Sequence, residues 1–425
     1  MRKPLALIAT ISAFAAASAL AQQTDRTPPT EPPSPPVSQG VPLSQAESKR
    51  GPNWSPGNAI AKEHAERTGV SVGEATSEMR RLEALNRFVA RLQERRPGLF
   101  SFVAMRDGKM VIGLTDPEAD LTDILPRGLL DPDFVTAALS VDEMDSILDD
   151  VTRKVTALGF KNVSVGLSPE TGRLTFRTPE RLEELRAALD SGALPVDQPY
   201  DVETGGIEVT LTLYGSAAWN ADPSRCSSLC NGTTGFSVMS TGADQTRYTS
   251  TAGHVDNARA RFNQGADSTY SSSSSKSLGT VVDLLPYGLD VQLAPPTDPA
   301  TNPPGPYFWE GTKYETVYGA IYPIGGILMC KFGRYSGPDC STTEDPVRTW
   351  RNTDYGLTNL YKLIKPASLS LRNWSQRGDS GGPVYRGTYA AGWIHGQDDV
   401  TGDIYYTSTK DFRQSGLPYD LIVVP

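Results

Sequence analysis

The hexapeptide Gly378-Asp379-Ser380-Gly381-Gly382-Pro383 places one serine inside a short turn rich in glycine. Glycine adopts backbone conformations that other residues avoid, so the amide N–H groups of such a turn can point outward. The amides of Gly378 and Ser380 can then both donate hydrogen bonds to an oxygen that gains negative charge. The stretch therefore predicts a nucleophilic serine with its own oxyanion hole.

A nucleophilic serine needs a base to take its proton and a third group to orient that base. Thr251-Ala252-Gly253-His254 supplies a histidine at the end of a predicted strand. Leu289-Asp290-Val291-Gln292-Leu293 places a carboxylate between apolar neighbours, where it can hold one tautomer of an imidazole. His254, Asp290 and Ser380 are therefore the predicted catalytic residues, in that order along the chain.

The spacing Gly378-x-Ser380-x-Gly382 also fits the nucleophile elbow of α/β-hydrolases, in which an acid and then a histidine follow the serine. Here His395 is the only histidine after Ser380, fifteen residues further on, which leaves no room for the rest of such a fold. The chain after about residue 200 instead has short apolar runs separated by turn residues. These runs predict an all-β sandwich or barrel.

Together these motifs resemble the chymotrypsin-fold serine peptidases, and among them the bacterial branch of α-lytic protease and the streptogrisins. The resemblance extends over residues 203–396 and includes three further stretches, residues 205–208, 235–238 and 330–340. It implies two perpendicular six-stranded β-barrels with the catalytic residues in the cleft between them. The predicted fold class is therefore an all-β, chymotrypsin-like double barrel over residues 203–425, preceded by a small α+β prosegment.

The order of segments along the chain predicts that the protein is made as a precursor. Residues 1–21 carry a short basic region, an apolar run and a small-residue cleavage motif, the pattern of a secretory signal peptide. Residues 22–44 are rich in proline and predict a spacer. Residues 45–202 are charged, rich in leucine and free of cysteine, and they predict a small α+β unit. The resemblance implies that this unit is a prosegment, cleaved off between about residues 201 and 206.

Local patterns predict particular elements inside residues 45–202. Apolar residues between positions 79 and 88 recur at helical spacing and indicate the core face of a helix. Asp107-Gly108 is typical of a hairpin turn, and Ser140 with Glu143 forms a capping box at a helix start. His64 has no partner that the sequence reveals, and we expect it at the surface.

The four cysteines lie in the second half, and they allow three pairings. Their proximity in sequence favours Cys226–Cys230 and Cys330–Cys340, and their spacing does not match a zinc site. The family usually has a cysteine where Val255 follows the catalytic histidine. The resemblance therefore implies that Cys226 pairs with Cys230 instead of its usual partner.

The resemblance also places residues 392–397 beside the primary specificity pocket, where this strand pairs with the substrate backbone. The implied pocket residues are Ser375, Ile394, His395, Gly396 and Gln397. The family usually has a serine at the position of His395, and that serine hydrogen-bonds the catalytic aspartate. We therefore expect His395 either to bond Asp290 or, with Ser375, to recognise an acidic substrate side chain. The carboxylates at 398 and 399 are expected in a solvated loop.

The formal net charge of −9 is spread along the chain, without the basic stripe that nucleic-acid binding requires. After the leader, no apolar stretch is long enough to span a bilayer. The expected partners are protein or peptide substrates and the chain's own prosegment, which aids folding and inhibits the enzyme. We expect a secreted, extracellular monomer that needs no cofactor and no metal.

These features predict a serine endopeptidase that works through an acyl-enzyme and is made as a self-processed zymogen. The alternative is a non-catalytic secreted binding module that retains the peptidase fold. Such a module usually lacks one of the three catalytic residues, and here all three positions are filled.

Overall fold

The computed structural model of the chain describes residues 41–42, 45, 55–126, 128, 130–208, 218–220, 231–255, 261–263, 275–297, 304–310, 314–356 and 358–424. The predicted leader, most of the spacer, Cys226 and Cys230 lie outside these residues. Among the helices it describes, none is both long and apolar enough to cross a membrane.

Most of the helical structure precedes residue 200. The described helices are α1 (Asn58–Thr68), α2 (Val72–Arg95), α3 (Val141–Ala157), α4 (Leu182–Asp190), α5 (Leu371–Trp374) and α6 (Thr409–Gln414). The predicted capping box is confirmed at α3, where the Ser140 side chain accepts a hydrogen bond from Glu143 N. The predicted helical core face is also confirmed, because α2 buries Met79, Leu82, Leu85 and Phe88.

The strands before residue 206 form two small sheets, apart from β1 (Val41–Pro42). One sheet contains β2 (Phe100–Arg106), β3 (Lys109–Leu114) and β4 (Asp133–Thr136). The other contains β5 (Ser164–Leu167), β6 (Leu174–Thr178) and β7 (Tyr200–Thr204). β2 and β3 pair in antiparallel register around Asp107-Gly108, so the predicted hairpin is confirmed.

The rest of the chain is built from short strands, which confirms its predicted all-β character. They are β8 (Ile207–Glu208), β9 (Ala218–Asn220), β10 (Asn231–Thr233), β11 (Ser237–Ser240), β12 (Arg247–Thr251), β13 (Arg261–Asn263), β14 (Ser275–Ser277), β15 (Val282–Asp283), β16 (Gln292–Ala294), β17 (Tyr307–Trp309), β18 (Tyr314–Thr316), β19 (Gly319–Ala320), β20 (Leu328–Gly333), β21 (Gly337–Thr342), β22 (Thr349–Asn352), β23 (Tyr361–Leu363), β24 (Pro383–Arg386), β25 (Tyr389–Asp398), β26 (Ile404–Ser408) and β27 (Tyr419–Val423).

Two larger sheets carry the candidate site. The first has six strands in the order β1-β27-β11-β12-β16-β15. The second has eight, in the order β21-β20-β24-β25-β26-β23, with β8 and β19 also paired to β25. The resemblance implied six strands in each barrel. The second sheet gains strands because β25, at ten residues, is long enough to accept β8 and β19 beside its main partners.

The part of the chain before residue 206, called the N-terminal part below, packs against the rest of the chain. β22 pairs with β5 in antiparallel register and extends the sheet of β5 to β7 to four strands. Leu85 and Phe88 of α2 belong to the same apolar core as Tyr389 and Ile394 of β25. The expectation that His64 is exposed is wrong. It is fully buried because α1 packs on the turn before β25, where its Nδ1 lies 3.3 Å from the Thr388 amide.

Candidate active site

Ser380 lies in the turn between α5 and β24. Gly378 and Gly381 have φ angles of 93° and 85°, a region that side chains with a Cβ rarely adopt. A Cβ added at Gly381 would lie 2.5 Å from both Ala252 N and Thr233 O. The serine turn therefore packs directly against the backbone near the candidate base, an approach that only glycine allows.

The buried carboxylate of Asp379 fixes the shape of this turn. It accepts hydrogen bonds from Tyr335 N at 2.9 Å and from Gln376 N at 2.8 Å. Burial lowers the pKa of the nearby Lys331 to about 8, although the charge of Asp379 acts against that shift. The sequence analysis gave Asp379 no role. Its position directly before Ser380 in the glycine-rich turn could have indicated that it holds the turn.

His254 and Asp290 come together because β12 and β16 are paired, with Thr251 opposite Gln292. His254 Nδ1 lies 2.7 Å from Asp290 Oδ2, and the His254 amide donates to Asp290 Oδ1 at 2.8 Å. An ionised carboxylate only accepts hydrogen bonds, so Nδ1 carries the proton and Nε2 keeps its lone pair. This is the tautomer that a general base for Ser380 requires.

His395 makes a second hydrogen bond to the same carboxylate oxygen, with its Nδ1 2.6 Å from Asp290 Oδ2. Its ring is fully buried, and burial lowers the pKa of His395, which favours a neutral donor. Burial alone would raise the pKa of Asp290, but the two imidazoles outweigh it and hold that pKa far below its usual value. Of the two expected roles of His395, the geometry matches the bond to Asp290.

Ser380 itself is not hydrogen-bonded to His254. Its Oγ donates to the main-chain carbonyl of His395 at 3.2 Å. His254 Nε2 is buried and has no hydrogen-bond partner among the residues that the structure describes. Catalytic hydrogen bonds are often loose before substrate binds, so this arrangement is compatible with a base that engages Ser380 later.

Two residues that the sequence interpretation missed support the imidazoles. Gln292 Nε2 donates to Ala252 O at 2.9 Å and to Val255 O at 2.6 Å, and so braces the turn that carries His254. The ring of Tyr355 packs on His395 and His254, with centroids 4.6 and 5.6 Å apart. Gln292 lies two residues after Asp290 in the same motif, so the sequence analysis could have identified it. Tyr355 lies outside every motif in the sequence analysis.

The residues expected to form the specificity pocket differ in their surroundings. Ser375, Ile394, His395 and Gly396 are buried, and Gln397 is half-buried. The backbone of Ile394 holds the serine turn, since its amide donates to Gly382 O at 2.8 Å and its carbonyl accepts from Gly381 N at 2.7 Å. Ile394 therefore anchors the serine turn to β25.

The two aspartates that follow β25's pocket residues have different environments. Asp399 is exposed, as expected, but Asp398 is fully buried. Its carboxylate pairs with the guanidinium of Arg177, which is 5% exposed. The expectation of a solvated loop is thus wrong for Asp398, because a charged partner from the N-terminal part covers it.

The predicted disulfide Cys330–Cys340 is confirmed and joins directly opposed residues of β20 and β21. The prediction for Cys226 and Cys230 lies outside the described residues.

The donor atoms of His254, Asp290 and His395 lie within 4.8 Å of one another, a spacing that a metal ion could use. Both Nδ1 atoms are, however, already bonded to Asp290 Oδ2. We therefore interpret the cluster as a hydrogen-bonded group in which one carboxylate orients two imidazoles.

No protein-family model and no curated protein matches the chain. Among solved structures, the chain is similar to the Nocardiopsis protease, at 18% identity over 49% of this chain and 98% of that one, with a TM-score of 0.35. It is similar to Thermobifida fusca protease A at 20% identity, over 49% and 98% of the two chains, with a TM-score of 0.36. A third is a glutamic acid-specific serine protease that uses a histidine triad in substrate binding, at 18% identity over 45% and 93%, with a TM-score of 0.34. The similar structures also include an α-lytic protease homologue, at 17% identity over 48% and 97% of the two chains, with a TM-score of 0.34.

Proposed function

We propose that the chain is a secreted serine endopeptidase, made as a zymogen, in which Ser380 is the nucleophile and His254 the general base. The observation that carries this proposal is the pair of hydrogen bonds between His254 and Asp290. They fix the ring with its Nε2 lone pair unoccupied, which is the state that accepts a serine proton.

Catalysis begins when the Ser380 Oγ turns from the His395 carbonyl to His254 Nε2. Oγ forms a bond to the scissile carbonyl carbon as its proton passes to Nε2. Asp290 stays ionised because of its depressed pKa, and it stabilises the imidazolium that forms. The carbonyl oxygen gains negative charge and accepts hydrogen bonds from the Gly378 and Ser380 amides.

The tetrahedral intermediate collapses when His254 gives its proton to the leaving nitrogen and the C–N bond breaks. The product is an ester between the acyl group and Ser380. Water then attacks this ester while His254 takes the water's proton. The ester C–O bond breaks, His254 returns the proton to Ser380 Oγ, and the acid product leaves. Apart from the substrate and this water, the groups that act in these steps are residues of the chain itself.

In this scheme His395 is a positioning residue that acts through Asp290. The His395→Ala variant removes one hydrogen bond to a charged acceptor, and we expect kcat to fall by roughly 10- to 100-fold. His395→Asn keeps an N–H donor and should recover part of the loss. The measurement is steady-state hydrolysis of matched peptides with Glu, Ala or Phe before the cleaved bond.

A positioning role lowers the rates for all three peptides by the same factor. A loss confined to the Glu peptide would instead assign His395 to substrate recognition, as in the glutamic acid-specific relative.

The zymogen part of the proposal is supported by how the N-terminal residues are held. They share a four-stranded sheet with β22 and an apolar core with β25. A segment that only links a leader to an enzyme would not need such an interface. Export is supported by the signal-like residues 1–21 and by the disulfide Cys330–Cys340, a bond typical of oxidising compartments.

The direct test is covalent labelling with an organophosphonate, which reacts only with an activated serine. We expect one label on Ser380, found by mass spectrometry of the peptide, and none on the Ser380→Ala protein. Labelling should also disappear in His254→Ala, which keeps the serine but removes its base. A folded protein that takes up no label would favour the non-catalytic binding module.

A further inference from the structure

We propose that a small tetrahedral oxyanion, of the class of inorganic phosphate and sulfate, binds in a cavity between α2 and α6. The cavity has a volume of 230 Å³. α2 belongs to the N-terminal part, and α6 belongs to the rest of the chain. The bound ion therefore joins these two parts, and its binding does not depend on the peptidase activity proposed for Ser380.

The charged side chains that line this cavity are all cationic. Arg87 comes from α2, and Lys410 and Arg413 come from α6. Residues 320–322, which follow β19 and also line the cavity, are uncharged. Among the described residues of the lining, none is acidic. The cavity thus offers an anion positive charge from both helices.

Lys410 is a nearly buried cation, with 9% of its surface exposed. Among the residues that the structure describes, none forms a hydrogen bond or an ion pair with its ammonium. Its Nζ lies 5.8 Å from the centroid of the Tyr322 ring, near the outer limit of a cation–π contact. The carboxylate of Asp411, the next residue, accepts instead from Ser408 Oγ at 2.7 Å. Because an ammonium has three donors and a buried cation without acceptors is costly, an anion in the cavity would stabilise Lys410.

The two arginines differ from Lys410, because each has a carboxylate nearby. Arg87 Nη1 lies 4.0 Å from Glu83 Oε2, and Arg413 Nε lies 3.7 Å from Asp420 Oδ1. Both carboxylates are buried, and neither lines the cavity. These pairs reduce the net charge that the arginines contribute. Lys410 therefore supplies the uncompensated positive charge of the site.

A tetrahedral oxyanion fits this lining in charge, shape and size. Its oxygens point in four directions, so one ion can accept hydrogen bonds from both helices at once. Guanidinium and ammonium groups are the side chains with which proteins commonly bind phosphate. A water molecule takes about 30 Å³ in the liquid, so the cavity holds such an ion with several waters and has no room for a folded partner.

The direct test is calorimetric titration of inorganic phosphate into the full-length precursor, made as Ser380→Ala so that it stays uncut, at an ionic strength kept constant with sodium chloride. We expect one phosphate per chain. Lys410→Gln should weaken binding at least about tenfold, the effect of losing a hydrogen bond to a charged group. Lys161→Gln, at an exposed lysine outside the cavity, should bind phosphate as the parent does. Absence of saturable binding to the parent, or equal binding to Lys410→Gln, would overturn the proposal.

Urea unfolding of the same proteins measures how much the ion stabilises the folded precursor. An ion that binds only the folded chain raises the folding equilibrium constant about 11-fold at ten times its Kd. Phosphate also stabilises proteins by its exclusion from their surface, so the gain of the parent must be compared with that of Lys410→Gln. We expect the larger gain in the parent, and equal gains would contradict the proposal.

Arg87→Gln tests whether the ion contacts both parts of the chain. Arg87 is the cation that the N-terminal part brings to the cavity, so its loss should also weaken phosphate binding. Binding equal to that of the parent would place the ion on α6 alone and refute the bridge between the two parts. The Arg87 side chain is 29% exposed, so this variant carries the test if Lys410→Gln does not fold.

Discussion

Asp290→Asn is expected to lower kcat/KM for peptide hydrolysis by about 10⁴-fold, because one carboxylate orients two imidazoles. Asp290 Oδ2 accepts from Nδ1 of both His254 and His395. Asp290 Oδ1 also accepts from the His254 main-chain amide, at 2.8 Å, so both carboxylate oxygens act as acceptors. An asparagine has one acceptor oxygen, and its amide nitrogen must face either the two imidazoles or that main-chain amide. When the amide nitrogen faces His254, the ring is driven to the tautomer that protonates Nε2. That tautomer has no lone pair for the Ser380 proton.

A variant with little activity cannot be expected to cut its own precursor, so the mature form for this measurement must be produced by another enzyme. Each precursor can be cut with bead-bound wild-type protein, which is then removed before steady-state assay. Asp283→Asn is the matched control: its half-buried carboxylate lies in the neighbouring strand β15 and accepts a hydrogen bond from the Leu285 amide at 3.0 Å. We expect this control to stay within about twofold of wild type. A loss below tenfold in Asp290→Asn would remove Asp290 from the role of orienting group.

Arg177→Met is expected to destabilise the precursor by about 3–5 kcal/mol, because it leaves the Asp398 carboxylate buried without a cation. Arg177 belongs to β6, and Asp398 ends β25, so the pair joins the N-terminal part to the strand that carries His395. Asp398 also accepts from the amides of Val400 and Thr401, at 3.0 and 2.7 Å. These main-chain amides are uncharged, so their hydrogen bonds stabilise the Asp398 carboxylate without neutralising its charge.

Urea unfolding of the precursor, made in the Ser380→Ala background so that it stays uncut, measures the effect. Arg173→Met is the control, since Arg173 pairs with Asp201 beside the same sheet but both side chains are about half exposed. We expect its midpoint to equal that of the parent protein. Equal midpoints for the two variants would show that the Arg177–Asp398 pair does not hold the two parts together.

The features that the sequence predicted are those encoded within a few residues. The Ser140 capping box, the turn at Asp107-Gly108 and the glycines around Ser380 each depend on local backbone geometry, and each is present. Cys330 and Cys340 face each other because a hairpin brings them together within one short stretch.

The features that escaped prediction depend on contacts between distant segments. His64 looked solvent-exposed because its partner, Thr388, lies more than 300 positions away. Asp398 is followed by further polar residues, which indicate a loop until Arg177 is brought against it. His395 is intermediate, because the family resemblance suggested its bond to Asp290 correctly. The packing of Tyr355 on both imidazoles had no signal in the sequence.

The sheet shared by β5 and β22 gives the proposed cleavage an unusual consequence. Cutting the chain changes neither this pairing nor the Arg177–Asp398 contact; it only turns contacts within one molecule into contacts between two. The effective concentration of the N-terminal part then falls from the high value set by a short tether to its concentration in solution. If the N-terminal part inhibits the enzyme, as the proposed zymogen requires, we expect the activity of the cut protein to rise on dilution by mass action.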